Sequence, residues 1–196
     1  PLVTGKRPGI FEANLDREID RAIKMGGEFG FPVMIAGGRD AYKISDQSKD
    51  RKVSILYSVD NLIEPSVEPD KSTVEIADQT PVEFKKERHD RWAEQMGGPS
   101  AMKKGGVRFA LSSGSSPGQF LENVRALITF GFDKDAALKA MTADAAEILG
   151  VSDQLGTIAV GKQANLVLMS GDFASKDSKV EHVWVTGKTV LEVKKE

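Results

Sequence analysis

The chain contains no cysteine in its 196 residues, which excludes disulfides, thiolate metal sites and cysteine nucleophiles. It also lacks an excess of either charge, since Lys+Arg 27 against Asp+Glu 29 gives a formal net charge of -2. That balance removes the long-range attraction that a nucleic acid or an anionic membrane surface would exert, and neither is expected as a partner. No apolar run approaches the roughly 20 residues that a membrane-spanning helix requires. The composition is that of a soluble chain, and freedom from cysteine suits the cytoplasm and the periplasm alike. Pro1 is no translation start, so a processed product or a fragment is expected.

With 40% hydrophobic residues, the chain can bury one sizeable core, or a core with a small accessory layer. Apolar runs of strand length recur at Gly9 to Ala13, Val33 to Ala36, Val53 to Val59 and Val107 to Leu111, each followed by helical character. Such runs suit the buried strands of parallel sheets, and their spacing implies right-handed βαβ units. Asn14 or Asp16 is placed to cap the first helix, which Gly30 ends and Pro32 prevents from continuing. Gly37-Gly38 turns into a second helical stretch, Arg39 to Lys49. Asn61 to Thr80, with Pro65, Pro69 and little periodicity, is expected to be a long surface excursion. Helical character returns from Glu83 to Met96, and Gly97-Gly98-Pro99 is expected to break it before Ser100 to Lys104 adds a turn. The basic residues Lys85, Lys86, Arg88 and Arg91 alternate with Glu83, Glu87, Asp90 and Glu94, the pattern of a solvated helix with i,i+4 ion pairs.

The fourth strand runs into Ser112 to Gly118, which suits a plain strand-to-helix turn. A phosphate cradle on backbone amides is the alternative, but no Lys follows at P-loop spacing. Serine catalysis finds no GxSxG elbow here and no nearby histidine to act as base. Two helices joined at Gly131-Phe132-Asp133 follow, with Asp133 capping the second and Thr142 a third. Beyond Gly150 short strands are expected at Gly156 to Ile158, Ala164 to Met169, Val180 to Thr186 and Thr189 to Val193. They make a small antiparallel module with one buried face and Trp184 as its core anchor.

Three stretches carry a family resemblance: Ala137-Leu138-Lys139-Ala140-Met141-Thr142, Ala145-Ala146-Glu147-Ile148-Leu149-Gly150, and Gly156 through Val167 with its Gly-Lys-x-Ala-Asn-Leu-Val element. In these residues the chain resembles the amidohydrolase superfamily, the metal-dependent hydrolases that include imidazolonepropionase-like enzymes. The resemblance implies an α/β fold, the second half of a (β/α)8 TIM-like barrel over residues 1–150, followed by β-sandwich strands over residues 151–196. Family members hold zinc or another divalent metal at the barrel mouth through histidines and an aspartate, and the aspartate shuttles the proton of the metal-bound water. Counting along the strands, the corresponding positions here are Glu12, a residue at or near Gly37, and Gly114 or its neighbour Ser113. None is the expected ligand, and His89 and His182 fall far from strand ends in the sequence. No metal or cofactor is therefore assigned to this chain, nor any catalytic residue.

Glu12, Asn14, Tyr57, Ser113 and Gly114 are the residues the resemblance places at the mouth, where a small molecule would bind. Three functions are compatible with this reading. The chain is a catalytically degenerate domain with a structural or binding role; or it is a fragment of a hydrolase of carbon–nitrogen bonds, with its remaining ligands on a missing N-terminal half. The third is a self-assembling module, because a half-barrel leaves edge strands and an inner face that another chain or a missing segment must cover.

Overall fold

The computed structural model describes residues 7–50, 53–60, 62–70 and 79–193. Four parallel strands, β1 (Gly9–Ala13), β2 (Val33–Gly37), β3 (Ser54–Ser58) and β4 (Arg108–Ser112), lie side by side in chain order. They alternate with helices α1 (Asp16–Phe29), α2 (Ser45–Asp50, entered through a 3-10 turn at Ala41–Ile44) and α3 (Val82–Gly105). After β4 come α4 (Phe120–Thr129), α5 (Lys134–Met141) and α6 (Ala143–Ile148), then an antiparallel sheet of β5 (Leu166–Met169), β6 (Val180–Val185) and β7 (Lys188–Glu192). None of the described helices is long and apolar enough to cross a membrane.

The period-two alternation of each strand decides where the core lies. Register sets Phe11, Ile35, Ile55 and Phe109 in one row and Ala13, Gly37, Tyr57 and Leu111 in the next. These rows face the helices and bury Ile35, Ile55 and Tyr57 completely against Ile19 and Ile23 of α1, Met96 and Met102 of α3, and Val124 and Leu127 of α4. The opposite face carries Glu12, Ala36, Leu56 and Ala110 in a row. At the β1 edge of that face Ile10 is 64% exposed.

Leu15, in extended conformation, takes the N-cap position of α1, and the Glu18 carboxylate accepts hydrogen bonds from Asn14 N and Leu15 N, each at 3.1 Å. The cap expected of Asn14 or Asp16 is thus made from inside the first turn, and these hydrogen bonds, Leu15 N first, hold the Glu18 carboxyl below its ordinary range. Gly30 ends α1 in the left-handed conformation at φ 72°. Asp133 caps α5, accepting from Ala136 N at 2.9 Å. Thr142 stands at the N-cap of α6, but its hydroxyl donates backward to Leu138 O.

Three expectations are corrected. Gly97-Gly98-Pro99 does not break the helix: α3 runs for 24 residues straight through Pro99. Proline removes the N–H that would bond the carbonyl four residues earlier, and here Tyr57 Oη donates to that carbonyl, Gln95 O, at 2.6 Å. Gly98 makes the approach possible, since a Cβ there would lie 3.2 Å from Tyr57 Oη. Second, Gly156 to Ile158 forms no strand, and Ile158 is 90% exposed, because no strand among the described residues pairs with it. Third, the antiparallel sheet has no buried face: every residue of β5, β6 and β7 is half-buried or exposed, and Trp184 stacks on His182 instead of anchoring a core.

The excursion after β3 is held to α3 by side chains one turn apart, although its residues 61 and 71–78 lie outside the described ones. Trp92 Nε1 donates to Leu62 O at 3.0 Å, His89 Nε2 lies 3.2 Å from Glu64 Oε1, and buried Lys85 donates to Glu68 O at 2.8 Å and Asp70 Oδ1 at 2.6 Å. The antiparallel sheet is tethered by Arg125 of α4, which donates to Phe173 O at 2.7 Å and Ser178 O at 2.8 Å.

Candidate functional site

The C-terminal ends of β1 to β4 deliver Asn14, the Gly37-Gly38-Arg39 turn, Ser58 with Asp60, and the Ser112–Ser115 turn to one rim of the parallel sheet. The centre of that rim is Asp60, whose side chain is 8% exposed. Its Oδ1 accepts from Ser58 Oγ at 2.7 Å and Arg39 Nη2 at 3.1 Å, and its Oδ2 from Ser115 N at 3.0 Å and Ser115 Oγ at 2.7 Å. A carboxylate has about four lone-pair positions, so this one is filled. Burial pushes its carboxyl upward, but the hydrogen bonds from Ser115, Ser58 and Arg39 outweigh it and hold the group far below the usual carboxylate range. Asp60 is a fixed anion that joins three strand-end turns, with no lone pair free to take a proton from a substrate.

The residues expected at the mouth are only partly brought together. Asn14 is on the rim; its carbonyl accepts from Asp40 N at 2.9 Å, while its Oδ1 is buried without a partner, facing Gly37. Ser113 and Gly114 lie in the turn that Asp60 clasps, with Gly114 at φ +53°. Glu12 is exposed on the face away from the helices, and its side chain makes no hydrogen bond or ion pair with the described residues. It stands on the edge strand opposite β4, three strand spacings or on the order of 14 Å away. Tyr57 is not at the mouth: it is fully buried among the helices, where its hydroxyl completes α3. The alternation of Val53, Ile55, Tyr57 and Val59 already carries that signal, since odd positions share the apolar face and even positions lead to Ser58 and Asp60.

The divalent metal implied by the resemblance does not fit these residues. Gly37 and Gly114 offer no side chain, Asp60 is saturated, and Glu12 is isolated. His89 packs on Trp92 of α3 at 5.4 Å and His182 on Trp184 of the distant sheet at 5.3 Å. No group of three or more metal-ligating side chains occurs among the described residues. What the rim presents instead is Arg39, one-third exposed, whose Nη1 and Nε make no hydrogen bond among the described residues.

A family model described as the Amidohydrolase family matches residues 94–190, from the middle of α3 into β7. Solved structures similar to the chain include an amidohydrolase from Thermotoga maritima, 27% identical with a TM-score of 0.76, the match covering 98% of this chain and 45% of that one. An ochratoxinase from A. niger is 17% identical with a TM-score of 0.65, over 98% of this chain and 44% of that one. A prolidase solved with N-methylphosphonate-L-proline is 21% identical with a TM-score of 0.63, over 94% and 45%. The last two speak for the fold alone. No curated protein matches the chain. The chain spans less than half the length of these solved structures, and its parallel sheet with flanking helices is the second half of a barrel of the TIM type, followed by an antiparallel module.

Proposed function

We propose that this chain, which a model of the Amidohydrolase family matches over residues 94–190 and which is similar to the Thermotoga maritima amidohydrolase, is the carboxy-terminal half of a hydrolase acting on a carbon–nitrogen bond. Its catalytic groups come from the other half of the barrel, carried on a preceding segment or on another chain. One observation carries the proposal: almost the whole chain, 98% of it, aligns with only 45% of the Thermotoga maritima amidohydrolase. Physical chemistry supports it, because the β1 edge of the inner face and the β5–β7 sheet leave apolar side chains exposed among the described residues. Apolar side chains such as Ile10 and Val190, 64% and 66% exposed, gain about 25 cal/mol per Å² when covered. In the completed barrel the role of this half is to bind and orient a small-molecule substrate: Arg39 offers free guanidinium donors at the rim, and Asp60 holds the surrounding turns in place.

The test is to purify the native gene product without chelators, measure its mass, and assay it on a panel of dipeptides and N-acyl amino acids. A polypeptide about twice this length, or a stable complex with a second chain, should hydrolyse members of the panel while residues 1–196 alone do not. A native product that is a monomer of 21.2 kDa and binds no other chain refutes the proposal. A second reading, a catalytically degenerate domain kept for structure or for binding a small molecule or partner, is favoured by Asp60, the carboxylate at the centre of the rim, whose lone pairs are all taken. The same assay separates the two, since a completed but degenerate barrel is inert. A self-assembling half-barrel differs from both in giving a homo-oligomer.

A further inference from the structure

We infer that the mouth of this half-barrel is closed to a divalent ion by a side-chain clasp, in which Arg39, Ser58, Asp60 and Ser115 do the joining that a shared cation would otherwise do. The inference rests on the half-barrel reading only in naming this rim a mouth. The first argument is acceptor count: each oxygen of Asp60 already takes two donors, so a cation entering there must displace hydrogen bonds to a buried anion. The second is charge. Arg39 Nη2, 3.1 Å from Asp60 Oδ1, already neutralises the carboxylate, and its guanidinium repels any further cation at that point.

The third argument is steric, and it bears on whether a ligand could be put back. A Cβ on Gly114 would collide with Ser58 Oγ and lie 2.5 Å from Asp60 Oδ2, so the clasp fills the space a side chain at this position would need. A Cβ on Gly37 would lie 2.6 Å from Asn14 Oδ1, and one on Gly38 would lie 2.5 Å from Ile55 Cγ2. All three glycines also hold positive φ, at +104°, +65° and +53° for Gly37, Gly38 and Gly114. The rim is thus packed around the absence of side chains at these positions, and single substitutions there damage the clasp before they create a site.

Zinc titration of the full chain, read by calorimetry and by metal content after gel filtration, tests this together with Gly114→Ala, Gly114→Asp and Asp60→Asn. The wild type should retain no stoichiometric zinc, and its unfolding midpoint should be indifferent to zinc or to chelator. Gly114→Ala should lower the folding equilibrium constant by about tenfold or more, since a single methyl group suffices to strain the turn, and Gly114→Asp should do the same without gaining zinc. One zinc per chain in the wild type, lost in Asp60→Asn, overturns the inference, as does a Gly114→Asp variant that binds zinc and unfolds later than the wild type. If the variants fail to fold, the wild-type zinc content still decides. Neither result depends on the size or partner of the native product, which tests the half-barrel reading separately.

Discussion

Replacing Tyr57 by Phe removes one hydroxyl and leaves the rest of the packing in place, so it isolates the hydrogen bond that carries α3 through Pro99. Burial pushes the ionisation of this phenol well above its ordinary range, so it is a donor at every working pH. Without it the carbonyl of Gln95 loses both its helical donor, which Pro99 cannot supply, and its replacement. An unsatisfied acceptor in a half-buried position costs about 1–3 kcal/mol, and we expect about 2. The measurement is equilibrium urea unfolding, with the midpoint falling and the slope unchanged. Pro99→Ala provides the control, because that substitution restores an N–H to Gln95 O and makes the tyrosine redundant. In that background Tyr57→Phe should cost under about 0.5 kcal/mol, a coupling of about 1.5 kcal/mol between the two positions. If the two substitutions prove additive, Tyr57 does not repair the helix and the explanation for its continuity is wrong.

Other outcomes are expected from the same packing. Asp60→Asn should lower stability at neutral pH by about 2 kcal/mol, with the loss read by urea unfolding. Because the folded carboxyl is held below its unfolded value, its contribution is complete above about pH 4 and fades as pH falls toward the folded value; the gap between wild type and variant should therefore narrow in acid, and a gap that widens would contradict the assignment. Lys85→Met should free Glu68 and Asp70 from α3 and speed cleavage at Glu68 by a glutamate-specific protease several-fold, leaving cleavage at Glu64, which His89 and Trp92 still hold near α3, unchanged. Arg125→Ala removes both bonds to Phe173 O and Ser178 O and should expose the β5–β7 sheet to faster hydrogen exchange, with the amides of β1 to β4 unaffected.

Much of the parallel half of the fold is legible in the amino-acid order, because it rests on local signals. Gly9 to Ala13 is a strand with the bounds expected of it, and Gly30 supplies the left-handed turn its position promises. What was hidden depends on partners distant in the chain. The proline rule failed at Pro99 because a tyrosine 42 positions away, on β3, provides the missing donor. Asp60 shows no motif of its own, and its place at the rim follows from Ser115, 55 residues later. Gly156 to Ile158 has the composition of a strand, but a strand exists only through its pairing. Asn14, Ser113 and Gly114 lie at the rim, as their places after strand ends imply, whereas Tyr57 turns in among the helices because strand parity outweighs nearness to the end.

The bareness of the β5–β7 ribbon bears on when it becomes durable. Three short strands without a fully buried residue cannot hold themselves together for long in water, so the Arg125 tether keeps the ribbon near its docking place without stabilising it. On the half-barrel proposal, its persistence is conditional on arrival of the surface that covers it. Until then Val167 on β5 and Val190 on β7 offer proteases and aggregating neighbours an accessible β-edge, and an unassembled copy is the one most exposed to removal.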